Sequence, residues 1–139
     1  MIRPARSEDA AQLVELMALL GHKVDIAGTR RRIAKLAEDA MPQLVAVEGE
    51  KVLGLCGLHQ MTAVHRDAPV GRITILVVRE NRRGNGLGRA LIDAAEQYFR
   101  TAGCRLVEVT SNDRLIDAHR FYEHMGYERT SKRFAKSLI

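Results

Sequence analysis

This 139-residue sequence predicts an α/β (α+β) fold, with about four helices flanking a mixed, mostly antiparallel central sheet. Three observations carry that expectation. Four segments repeat apolar residues at helical spacing, and four others are short runs rich in Val, Ile and Leu bounded by Gly, Pro or charge clusters. The apolar content of 46% suffices for one sizeable core without disulfides or metal, so residues 1–139 are expected to form a single domain.

In chain order, Ile2–Ala5 reads as a short edge strand. Ser7, with Glu8 and Asp9 behind it, is a helix start: a hydroxyl to accept from free amides and two acids at the positive end of the dipole. The first helix carries Leu13, Leu16, Met17 and Leu20 on one stripe and stops at Gly21. Thr29 is expected to cap a basic second helix through Ile33, Leu36 and Ala37, which ends before Pro42. Leu44–Val47 and Val52–Leu58 flank Glu48-Gly49-Glu50-Lys51 as a hairpin, and the β-branched run Ile73–Val78 is a fourth strand. Leu87, Leu91, Ala94, Ala95 and Tyr98 recur with helical period up to Gly103. Arg105–Thr110 is a fifth strand. A last helix, Leu115–Met125, puts Leu115, Ala118, Tyr122 and Met125 on one face; after Gly126, Tyr127–Leu138 is expected to return as a strand or hairpin.

Charge and cysteine usage narrow the class. A net charge of +5 favours an anionic partner without choosing among phosphates, membrane and nucleic acid. Three Tyr, three Phe and no Trp offer a poor platform for stacking bases, so nucleic acid is not expected as a partner. Cys56 and Cys104 form no C-x-x-C pair or metal-ligand spacing, and the scattered histidines define no metal site, which fits a reduced, cytoplasmic protein. No segment approaches the ~18 apolar residues of a membrane span.

The informative stretch is Arg82-Arg83-Gly84-Asn85-Gly86-Leu87-Gly88-Arg89, between a strand and a helix. Its main-chain N–H groups can converge at the positive helix end, and Arg83 and Arg89 can add charge-assisted hydrogen bonds, making a phosphate or pyrophosphate site. A dinucleotide G-x-G-x-x-G does not fit, because Arg89 stands where the third glycine belongs. A nucleotide P-loop does not fit either, because no Lys-Ser or Lys-Thr pair follows.

Arg83, Gly86 and Gly88 fit the R/Q-x-x-G-x-G/A signature of the GNAT acetyltransferase superfamily, which the chain resembles from about Leu44 onward. The segment Asn112–Tyr127, with Ala118, the Phe121-Tyr122 pair, Gly126 and Tyr127, resembles that family's second signature. The resemblance implies acetyl-CoA in a splay between the fourth and fifth strands. Leu76, Val77 and Val78 would line the pantetheine, and Arg83, Gly84, Asn85, Gly86, Leu87, Gly88 and Arg89 would hold the pyrophosphate. Many relatives carry Asn where this chain has Leu115, so Asn112 or Asp113 would take over that contact to the arm.

Acetyl transfer to an amine needs a neutral nucleophile and a proton for the departing thiolate. By the resemblance Tyr122 is the acid, though its stripe also suits a core tyrosine. Glu108, which interrupts the apolar run Leu106-Val107-Glu108-Val109, is the first candidate for the base; the alternative is a carboxylate paired with an arginine on a half-exposed sheet face. His59 and His65 are further candidates, while His119 and His124 lie off the apolar stripe and are expected to be solvated.

The segment Asp117–Tyr122, the tail Arg133–Leu138 and Gly57-Leu58-His59 resemble the small bacterial branch that includes an enzyme acetylating aminoalkylphosphonates. That enzyme has a glutamate in the middle of the fourth strand, where this chain has Ile75, so the acceptor stays open. A small-molecule primary amine is the expected acceptor. A protein N-terminus or lysine, a non-catalytic acyl-CoA sensor and a nucleic-acid module remain alternatives. A C-terminal strand of this type often pairs two subunits in the family, which implies a homodimer.

Overall fold

The computed structural model describes residues 1–139. Strands β1 (Ile2–Pro4), β2 (Leu44–Glu48), β3 (Lys51–Met61), β4 (Val70–Val78) and β5 (Leu106–Val109) form one sheet whose order follows the chain. Neighbours are antiparallel except β4 and β5, which run parallel because the crossover helix α3 (Leu87–Thr101) carries the chain back. With α1 (Ala10–Ala18), α2 (Ile26–Glu38) and α4 (Ile116–His124), this is the mixed sheet with four helices that the sequence predicts. No helix is long and apolar enough to cross a membrane.

Alternation along the strands sorts apolar side chains onto two faces. Val45, Val47, Val52, Leu55 and Val77 meet Leu13 and Leu16 of α1 and Ile33 of α2. On the other face Ala46, Cys56, Leu58 and Ile73 meet Leu91, Ile92, Ala95 and Phe99 of α3. Each fully buried Leu, Ile or Phe contributes roughly 1.5–3 kcal/mol, so both layers hold the sheet firmly.

Three local expectations are corrected. Ser7 caps nothing: Ser7–Asp9 is a 3-10 turn before α1, and Asp9 is its hub, accepting from Arg6 N at 2.7 Å and from Arg3 at 2.8 and 2.9 Å. Thr29 does not cap α2. Asp25 does, because its carboxylate reaches Gly28 N, while the Thr29 hydroxyl is buried inside the helix and donates to Asp25 O at 2.8 Å. Tyr127–Leu138 forms neither strand nor hairpin; residues 128–139 are exposed and irregular, Phe134, Leu138 and Ile139 included. A strand needs a ladder partner, and this segment pairs with none in its own chain.

Candidate active site

β4 is paired with β5 only from Val70 to Ile73, yet it continues to Val78. Beyond Ile73 its β5-facing edge has no strand beside it. The divergence coincides with a bulge in β4: Gly57 opposes Ile75 and Leu58 opposes Ile73, so Thr74 is the extra residue. Gln43 braces the spot, its side-chain amide donating to Leu58 O at 2.9 Å and accepting from Leu58 N at 3.2 Å. A side chain at position 57 would collide with Thr74 Oγ1 and Gln43 Oε1, so glycine there is a packing requirement.

The free edge leads into the glycine loop, where Gly84 and Gly86 have φ of +84° and +78°, a left-handed conformation in which a Cβ is strained. Gly86 ends the loop as the residue before α3, and no side chain caps the first amides of that helix. They are free to meet an anion at its positive end.

The arginines of this region divide by role. Arg79 is a tether: its main-chain N–H donates to Leu53 O at 2.8 Å, Nε to Val52 O at 2.6 Å and Nη2 to Gln12 Oε1 at 3.4 Å. Gln12 completes the lock by accepting from Val52 N at 2.8 Å and donating to Glu50 O at 2.9 Å. Arg82 is engaged with Glu48. Arg83 touches Val78 O at 3.4 Å, and both Arg83 and Arg89 are exposed beside the glycines, without an acidic partner.

On the α3 face, Leu76 and Val78 pack in the same layer as Tyr122, while Val77 points to the opposite face. Phe121 lies over Gly88, where a Cβ would stand 3.4 Å from its Cζ. Tyr122 stacks edge-on with Phe121 and Tyr127. Burial, reinforced by nearby Cys56, pushes its phenol up to about 12, so the hydroxyl keeps its proton at neutral pH. The hydroxyls of Tyr98 and Tyr127 are spent on Ala40 O and Glu96, whereas that of Tyr122 has no protein partner. Cys56 is fully buried, and its thiol is raised to about 12 by that burial, so it is inert.

Glu108 faces Arg72 in the β4–β5 register and accepts from its Nε at 2.9 Å and from its Nη2, both on Oε1. Asn112 turns back on its own loop, accepting from Arg114 N at 3.0 Å, and its carbonyl meets His119 Nε2 at 2.9 Å. Asp113 and His124 are exposed; His65 is exposed on the β3–β4 loop, and His59 stands on β3 opposite Arg72. No cluster of His, Cys, Asp and Glu is arranged to hold a metal ion. Sequence reasoning missed Arg72, Thr74 and Gln43 as site residues. A lone cation in the apolar run Val70–Val78 was the available signal for the first.

The model of the acetyltransferase (GNAT) family matches residues 13–127. An aminoalkylphosphonate N-acetyltransferase of Salmonella typhimurium is 33% identical over 99% of this chain and 90% of its own. An aminoglycoside N(6')-acetyltransferase type 1 of Stenotrophomonas maltophilia is 32% identical over 94% of this chain and 88% of its own. Among solved structures, a transcriptional regulator from Bacillus halodurans C-125 has a TM-score of 0.91 at 22% identity, covering 99% of each chain. An aminoglycoside N-acetyltransferase in complex with CoA has a TM-score of 0.85 at 16% identity, covering 100% of this chain and 95% of its own. At those identities the structural likeness concerns the fold alone.

Proposed function

Because the chain belongs to the GNAT acetyltransferase family, we propose that it moves an acetyl group from acetyl-CoA to the primary amine of a small molecule by direct attack in a ternary complex. The observation that carries this reading is the unpaired edge of β4 from Thr74 to Val78, followed across the glycine loop by the uncapped start of α3. Main-chain groups of Leu76, Val77 and Val78 suit the amides of a pantetheine arm. The loop Arg83, Gly84, Asn85, Gly86, Leu87, Gly88 and Arg89 suits a pyrophosphate, with Asn112 near the arm. The relatives that act on aminoalkylphosphonates and aminoglycosides support a small amine as acceptor.

The bound donor supplies an activated acetyl thioester. Glu108 receives a proton from the acceptor's ammonium and passes it to solvent. The nitrogen lone pair then forms the amide bond as the carbon–sulfur bond breaks and the Tyr122 hydroxyl gives its proton to the sulfur. The surplus proton of the new amide nitrogen leaves to water, from which the Tyr122 phenolate takes one back, so each turnover releases only the proton of the ammonium. The Tyr122 hydroxyl, protonated at neutral pH and free of any protein partner while those of Tyr98 and Tyr127 are engaged, supports this role. The exposed apolar tail, with Phe134, Leu138 and Ile139, supports a homodimer in which it finds a partner.

An amine-library screen following thiol release, with calorimetry of acetyl-CoA, tests the proposal. Micromolar donor binding, about −8 kcal/mol, with turnover on at least one small amine is expected. Donor binding without turnover on any amine would leave a sensor, and no donor binding would remove the reading.

A further inference from the structure

The unused chemistry of the sheet is a row. His59 of β3, Arg72 of β4 and Glu108 of β5 are consecutive register partners, so their side chains share one face. That face is the one α1 and α2 cover at its other end, where Leu55 and Val77 are buried, whereas the row itself is half-exposed. The same strands present apolar Ile73, Val107 and Val109 to α3 on the opposite face, so the polar residues are confined to the open side. The row lies two residues from Thr74, where β4 parts from β5.

The Arg72–Glu108 pair is only half used. Both donors from Arg72 converge on Glu108 Oε1, while Arg72 Nη1 and Glu108 Oε2 have no protein partner. One free cationic donor thus stands beside one free anionic acceptor, with a side-chain exposure of about 40% and 36%. His59 stands beside the arginine in the register, and the loop carrying His65 and Arg66 leaves the sheet just beyond it.

We propose that the His59–Arg72–Glu108 row is the acceptor site and that it selects zwitterions: amines bearing an acidic oxyanion, carboxylate or phosphonate, a few bonds away. The inference rests on the acetyl-transfer reading. The ammonium sits on Glu108 Oε2 and the oxyanion on Arg72 Nη1 and the His59 ring, so the two free valences are filled by opposite charges of one molecule. A plain alkylamine fills one and leaves the guanidinium donor idle. A polycation has no second carboxylate in the row to meet and is repelled by Arg72. The geometry therefore favours the acceptor chemistry of the phosphonate-acetylating relative over that of the aminoglycoside one.

The test compares kcat/KM on the unaltered protein for an alkylamine, a diamine, an ω-amino carboxylate and an aminoalkylphosphonate of matched length. We expect both zwitterions to exceed the alkylamine and the diamine by about 100-fold, the effect of one additional charge-assisted hydrogen bond to the acceptor. The carboxylate and phosphonate arms identify the oxyanion. In Arg72→Met the zwitterion-to-alkylamine ratio should collapse to within about threefold, chiefly through KM, with acetyl-CoA affinity by calorimetry within about twofold of the parent. Arg72→Lys, which keeps the charge and removes the fork, should retain part of the ratio. A diamine or alkylamine preferred by the unaltered protein overturns the assignment whether or not Arg72→Met folds, as does a ratio unchanged in a folded Arg72→Met. Failure of the acetyl-transfer reading looks different: no thiol release with any amine.

Discussion

The ring of Phe99 rests on the main chain of Gly71: a Cβ at position 71 would lie 2.5–2.7 Å from three of its ring atoms. Gly71 pairs with Val107, so this contact presses α3 onto the only stretch where β4 and β5 are joined. Gly71→Ala should cost about 2–3 kcal/mol by overpacking, and Phe99→Ala about 3–5 kcal/mol by cavity formation. In a Phe99→Leu background the alanine at 71 should cost less than half as much, measured by urea unfolding of the four proteins. Simple additivity would mean that the ring moves away without strain.

Two glycines of the loop should respond with opposite signs of stability. Gly86 has a φ of +78°, so Gly86→Ala is expected to lower the melting point by the cost of a left-handed alanine, about 1 kcal/mol. Gly88 lies inside α3, and a Cβ there meets only Phe121 at 3.4 Å. Gly88→Ala should therefore match or exceed the parent in thermal stability, by up to ~1 kcal/mol of helix propensity, while binding acetyl-CoA at least about tenfold more weakly. Unchanged affinity in Gly88→Ala would show that main chain at 88 does not approach the phosphates.

Tyr122→Phe should lower kcat by about 10²-fold to 10⁴-fold with acetyl-CoA affinity kept, because the phenol matters only as charge reaches sulfur. Its titration supplies a second readout. The folded-state phenol is raised from 10.0 to about 12, so the folded protein holds that proton more tightly; the contribution is complete below pH 10 and is lost as pH rises toward 12. Unfolding free energy should fall by roughly 2–3 kcal/mol less across that window in Tyr122→Phe than in the parent. Tyr127, shifted upward by burial and by Glu96, titrates in both proteins. Turnover within about threefold of the parent would leave the thiolate to be protonated by water.

Asp9 predicts the acid side. Its carboxyl is held below 3.8 by hydrogen bonds from Arg3 and from Arg6 N, against the opposing effect of burial. The stabilisation is present above the ordinary carboxylate value and disappears as pH falls through the lowered one. Asp9→Asn leaves the Arg3 guanidinium, 16% exposed, without its partner, so a loss of about 3 kcal/mol is expected at pH 7 and a smaller one near pH 2. Equal destabilisation at both pH values would trace the effect to packing.

The parts legible in the sequence were those set by local pattern. The 3.6-residue stripe of α3, the β-branched run of β4 and the glycine loop between them depend on neighbours in the chain. The row across β3, β4 and β5 does not: the pairing of Arg72 with Glu108 is fixed by where the crossover helix delivers β5. The bulge at Thr74 is equally hidden, since its flanking Ile73 and Ile75 are both good strand formers. Thr29 carried the signature of a cap, but Asp25 reached the free amide first. The tail was expected to return as a strand, and no feature of its sequence supplies a neighbour to pair with.

Sheet order that follows chain order also fixes a sequence in time. Residues 1–78 contain four of the five strands and the two helices of one layer. A chain leaving the ribosome can join β2 to β1, β3 to β2 and β4 to β3 as each emerges, with no later residue required. Only the parallel β4–β5 pair must wait, because α3 has to cross the sheet before β5 can arrive, and non-local parallel pairing is the slow kind. Folding is thereby vectorial: the nascent chain acquires most of its shape before the last strand completes the sheet.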